Sequence, residues 1–169
     1  MAALDILYED HRGLLRLSRQ LIELAAKVET SIGRALIDTR VELAKLVRVH
    51  LEREAVLVLA PLRQSSDAHH QALARRYTEE LLAMRSDSTT HHAAWHLAAA
   101  LADLDAFSDS VRALTQGLAD RIAWEEAEVF PAVIQLRITF GDIISRTIVR
   151  PPADAATDTA YRTSDRARI

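Results

Sequence analysis

The chain has 169 residues, of which 49% are hydrophobic, with only four glycines, four prolines and no cysteine. That size suits one domain with a core that needs no disulfide, the scarcity of turn formers argues against a β fold, and the lack of thiols excludes a disulfide framework, a thiolate metal site and a Cys nucleophile. Lys and Arg number 21 against 24 Asp and Glu, a net charge of −3 with both signs scattered, so no basic patch points to nucleic acid.

The first segment places Leu4, Leu7, His11, Leu14, Ser18, Leu21 and Ala25 at alternating spacings of three and four, which predicts a helix with one inward stripe. A second stripe, from about Ser31, carries Ile32, Leu36, Leu43, Val47, His50, Glu54 and Leu57, and Pro61 is expected to end or kink its helix. Gln64-Ser65-Ser66-Asp67 reads as a capping segment before a third helix with His70, Leu73, Tyr77, Leu81 and Met84, and Ser86-Asp87-Ser88-Thr89-Thr90 breaks that pattern. The fourth helix presents Leu104, Phe107, Val111, Leu114, Leu118, Arg121, Glu125 and Val129 before Pro131. Short polar connections between four such helices imply an all-α, up-down-up-down four-helix bundle over residues 1–141. Residues 142–169 read as a short amphipathic element, with Ile143, Ile144, Ile148 and Val149, followed by a flexible tail without apolar period.

Each stripe contains polar residues that are costly to bury unless they meet one another. His50 and Glu54, four apart, share a face, and neutral imidazoles with carboxylates in a bundle core are the donors that iron or manganese takes. A single histidine on an apolar face is more often a satisfied core residue, but ordered recurrence on successive helices favours metal. His92 and His96 also have metal-capable spacing, yet nothing else points at them or at His91, and they are taken as structural. Glu126 and Glu128 read as solvated, Glu9 and Asp10 as first-turn charges, and Trp95 and Trp124 as packing residues at bundle ends.

Four segments resemble the hemerythrin-like HHE cation-binding domains: Leu7-Tyr8-Glu9-Asp10-His11, His50-Leu51-Glu52-Arg53-Glu54, Ala68-His69-His70, and Arg121-Ile122-Ala123-Trp124-Glu125-Glu126-Ala127-Glu128-Val129-Phe130-Pro131. The resemblance spans roughly residues 4–135. It implies two irons bridged by carboxylates, with His11, His50, Glu54, His70 and Glu125 as ligands. Where the family's fourth helix carries a further histidine, this chain has Arg121, which cannot donate a lone pair. Three outcomes follow: Arg121 pairs with Glu125 or Glu54 and abolishes one site, it leaves an iron with an open position, or a spare residue, Tyr8 or His69, replaces the missing ligand.

The function implied by the resemblance is a non-haem iron protein that binds, senses or detoxifies dioxygen, peroxide or nitric oxide. The alternatives are a non-haem iron oxidase or oxygenase acting on a small organic substrate, and a metal-poor bundle acting through protein association. Self-association is left open. Met1–Asp5 lacks the basic-then-apolar pattern of a secretory signal and no apolar run is long enough to span a membrane, so the expected location is the cytoplasm.

Overall fold

The computed structural model describes residues 2–27 and 32–138, which contain helices and no strand. Helix α1 (Ala2–Ala25) leads to α2 (Ile32–Glu54), which passes through a π-helical segment, Ala55–Leu59, into α3 (Ala60–Gln64). Next come α4 (Ala68–Ala94), the short α5 (Leu97–Ala102) and α6 (Leu104–Trp124), which continues through a second π segment, Glu125–Val129, and helical residues 130–138. Segment 142–169, including the expected amphipathic element and tail, lies outside the described residues.

Side-chain caps set several boundaries. Asp67 accepts from the His69 and His70 backbone N–H groups at 2.8 and 3.1 Å, and Asp103 accepts from Ala106 at 3.0 Å, so otherwise orphan donors of the first turns are satisfied. Other expected boundaries are not there. The 86–90 segment stays helical because the Thr89 and Thr90 hydroxyls bond back to the Arg85 and Ser86 carbonyls, which satisfies them inside the helix. His91 and His92 therefore end the third long helix rather than open the fourth, and His96 caps α5 through Nδ1.

Pro61 does not stop the second helix either. Its ring removes the N–H that would reach the Leu57 carbonyl, and Arg137 Nη2 supplies the missing donor to that oxygen at 2.9 Å. Both π segments lie just before a proline, with Ala60 N–H donating to the Ala55 carbonyl and Phe130 N–H to the Glu125 carbonyl. They also resolve a problem of phase. His50, Glu54, Val58 and Leu62 are all buried, as are Arg121, Glu125, Val129 and Val133, two series at a stride of four residues. In a regular α-helix each such stride overshoots a full turn by about 40°, so three strides would carry the side chain off the inner face, whereas the wider π turn takes back the excess.

Helix α1 packs against α2 and α6, and α4 against α3 and α6, closing a four-helix bundle. One apolar cluster, including Leu7, Val58, Leu62, Tyr77, Val129 and Phe130, fills one end. Another, with Leu21, Leu36, Phe107 and Val111, fills the other, and each large side chain so buried contributes about 1.5–3 kcal/mol. Gly13 lets α1 lie close to α2, since a Cβ there would sit 2.8 Å from Leu46 Cδ2. Between the two clusters lie His11, His50, Glu54, Arg121 and Glu125, all buried.

Candidate metal centre

Four helical segments deliver the polar side chains: His11 from α1, His50 and Glu54 one turn apart on α2, Tyr77 from α4, and Arg121 with Glu125 one turn apart across the end of α6. Ligand atoms of His11, His50, Glu54 and Glu125 all lie within 4.8 Å of one another. His11 Nε2 is 3.3 Å from Glu125 Oε2, and His50 Nε2 is 3.5 Å from Glu54 Oε2. The two imidazoles meet edge to face at 4.9 Å, and Phe130 stacks on His11 at 5.5 Å.

The outward nitrogens of both rings face carboxylates. His11 Nδ1 lies 2.7 Å from Glu126 Oε1, and because a carboxylate only accepts, Nδ1 carries the proton and Nε2 is the nitrogen free to bind a metal. His50 Nδ1 is 3.5 Å from Asp10 Oδ2, and Arg53 Nη1 donates to both Asp10 oxygens at 2.6 and 2.8 Å. Tyr77 donates its hydroxyl to Glu54 Oε2. Arg121 Nε lies 2.7 Å from Glu125 Oε1, its Nη2 lies 3.8 Å from Glu54 Oε2, and its guanidinium sits over the Tyr77 ring at 4.6 Å.

Crowding of these groups pulls their protonation in opposite directions. For His11 burial disfavours the cation, but contacts with Glu125 and Glu126 outweigh it and the pKa rises. His50 falls to about 4, first through burial and then through the neighbouring His11. Burial, reinforced by the Glu125 carboxylate, lifts Glu54 to about 8 against the opposing pull of Tyr77 and Arg121. Burial and the same Glu54 carboxylate also push the Tyr77 phenol up.

The donor set fits a metal ion. His11 Nε2, Glu54 Oε1 and both Glu125 oxygens are buried without a hydrogen-bond partner, the 2.7 Å approach of Arg121 Nε being too far off axis to form one. Unpaired buried acceptors of this kind are costly, and a divalent cation satisfies several lone pairs at once.

The remaining expected site residues stand elsewhere. His70 is not in the group: its Nδ1 bonds Ser65 Oγ at 2.9 Å and faces Asp67 at 3.9 Å. His69 is exposed, its ring 6.1 Å from that of His70, and Tyr8 packs edge-on against Phe130 at 5.2 Å. Arg121 lies on the site carboxylates. At the far end of α4, His91 Nδ1 pairs with Ser110 Oγ at 2.8 Å and His92 Nδ1 contacts Arg40 Nη2 at 3.3 Å, so neither they nor His96 form a metal group.

Two residues have roles that differ from the sequence reading. Asp10 is no first-turn charge but is buried between Arg53 and His50 in the third turn of α1. Glu126 is only partly solvated, because it holds His11. Trp124 packs in the apolar cluster at one end of the bundle, as expected, with Arg76 over its ring at 4.2 Å and its Nε1 donating to Glu128. Asp10, Glu126 and Tyr77 escaped notice as site residues, although Asp10 falls at stripe spacing between Leu7 and Leu14, and Tyr77 lies one turn after Leu73.

Two imidazoles and two carboxylates converging inside a helical bundle make a donor group that can hold a metal ion. The sequence description of the hemerythrin HHE cation-binding domain fits residues 2–133, and the chain belongs to that family. Its members bind metal, typically iron. Neither the curated proteins nor the solved structures yield a match. Among the described residues no helix is long and apolar enough to cross a membrane.

Proposed function

We propose that the chain holds one non-haem iron through His11, His50, Glu54 and Glu125 and offers it to dioxygen, peroxide or nitric oxide. The observation that carries this reading is the position of Arg121 against both carboxylates, with Nε 2.7 Å from Glu125 and Nη2 3.8 Å from Glu54. The guanidinium puts a fixed positive charge where a second cation would stand, and with one divalent ion the positive charge already exceeds that of the two carboxylates, which disfavours a second metal ion.

Iron held by these four residues would supply one-electron chemistry to a small ligand. The residues of the chain do the rest. Glu126 and Asp10 face the Nδ1 atoms of His11 and His50 and turn their Nε2 atoms inward, Tyr77 holds one oxygen of Glu54, and Phe130 shields the His11 ring from water.

Elemental analysis of the purified chain tests the reading, with one iron per chain expected. Two irons would refute the mononuclear assignment. No bound metal would refute iron altogether and favour a bundle closed by its own ion pairs, a reading for which the Arg121–Glu125 contact also speaks.

A further inference from the structure

We propose that Arg121 makes this centre an anion site, in which its two Nη groups grip a small planar oxyanion of formate or nitrite size. The inference rests on the metal reading above. Arg121 is 6% exposed, and of its nitrogens only Nε contacts an acceptor closely; Nη1 and Nη2 are buried without any hydrogen-bond partner. A guanidinium keeps its charge at every ordinary pH, so these N–H donors cannot be neutralised by losing a proton. Leaving them unused is costly, and an occupant with two acceptor oxygens removes the cost.

The surroundings define that occupant. Tyr77 lies under the guanidinium at 4.6 Å, so one face is covered and hydrogen bonds must form in the plane of the fork. The nearest oxygen to Nη2, Glu54 Oε2, is 3.8 Å away and already takes the Tyr77 hydroxyl, so it does not satisfy the fork. Two parallel N–H donors match two oxygens of one planar group, the arrangement in which arginine binds carboxylates.

Charge and size narrow the class further. Two carboxylates, one guanidinium and one divalent ion leave a single positive charge, which a monovalent anion cancels, and removing the ion removes that excess. The fully buried rings of Tyr77 and Phe130 and the side chains of Val58 and Val129 belong to the adjoining apolar cluster, so the occupant must be an anion of few atoms.

The test uses the full chain loaded with zinc, which is redox-silent and accepts the same donors, titrated with sodium formate by calorimetry and compared with chloride. Wild type should bind formate when zinc-loaded and not when metal-free, and should prefer it to chloride. Arg121→Lys keeps the charge but loses the fork and should weaken formate about ten-fold, with less change for chloride; Arg121→Gln should weaken it about a hundred-fold. Zinc content is measured on every sample. Equal formate affinity in wild type and Arg121→Lys at equal zinc content overturns the anion site and leaves the metal reading standing, while a chain that binds neither zinc nor iron overturns both. Should Arg121→Gln fail to fold, the Lys variant and the formate-to-chloride preference of wild type still decide, since no preference in wild type also overturns the proposal.

Discussion

Replacing Arg121 by histidine exchanges a fixed charge for a neutral nitrogen donor one turn before Glu125, and the change should roughly double the dependence of stability on metal. Removing one partner of a buried ion pair costs about 3–5 kcal/mol, and because Glu54 is already lifted to about 8 it can take up a proton at neutral pH, which holds the loss near the lower end. The metal-free variant should therefore be about 3 kcal/mol less stable than wild type. Each metal site filled at a hundred times its dissociation constant returns about 2.7 kcal/mol, so a variant with two sites recovers roughly twice what a one-site wild type gains. With saturating metal the two proteins should lie within about 1 kcal/mol of each other. Urea denaturation followed by circular dichroism, after chelation and again with excess ferrous iron under anaerobic conditions, measures both differences, and elemental analysis should show metal per chain rising towards two. A metal-free variant as stable as wild type would mean that Arg121 does not hold the carboxylates, and unchanged stoichiometry would mean that it does not compete with a cation.

Tyr77→Phe should cost about 1.5–3 kcal/mol in the metal-free protein, because Glu54 Oε2 loses a donor to a buried carboxylate; denaturant midpoints check this, and no change would dissociate Tyr77 from Glu54. Glu126→Ala should weaken metal binding about ten- to a hundred-fold while leaving the fold intact, read by competition with a chromophoric chelator, since His11 loses the partner that orients it. His70→Ala should leave metal content unchanged, because His70 faces Ser65 and stands outside the converging donors; a loss of iron would restore it to the ligand set. Metal-free stability should rise from pH 4.5 to 6.5, where the lowered His50 and His91 (unfolded 6.5, folded about 4) gain with rising pH and the raised Glu54 (unfolded 4.5, folded about 8) offsets only one of them. Above pH 6.5 only the raised groups, Glu54 and His11, still titrate differently from the unfolded chain, so stability falls by about 2 kcal/mol as pH rises to 8, and a melting series that climbs over this range would refute the assignment.

Much of this arrangement is legible in the sequence. The stripes locate all four long helices, Asp67 announces the third, and the four-residue spacings of His50 with Glu54 and Arg121 with Glu125 place the inward polar groups. What escaped depends on partners from other helices. Asp10 looks like a surface charge until α2 brings Arg53 and His50 to it, and Glu126 gains its role only because α1 sets His11 beside α6. The hydroxyl of Tyr77 is indistinguishable in sequence from that of any amphipathic core tyrosine. Pro61 misled because local rules count the N–H it removes and cannot see Arg137 arriving from the opposite helix. His70 occupies a stripe position near an N-terminus, where the cap and Ser65 hold it instead.

The paired π segments act as rotary couplings between the metal-binding middle of the bundle and its apolar end. Deleting one residue from Ala55–Leu59 and restoring plain α-helix would set Leu62 about 20° from a whole number of turns after His50, so the inner face would keep its phase. Forcing the same residues into plain α-helix without a deletion would instead twist Leu62 and everything beyond by about 100° against His50 and Glu54. The same holds for Val133 beyond Glu125–Val129, next to the Phe130 ring that stacks on His11. Each wide turn therefore absorbs one surplus residue, and a single deletion inside either segment should be tolerated where a deletion in the regular α-helical turns between ligands is not.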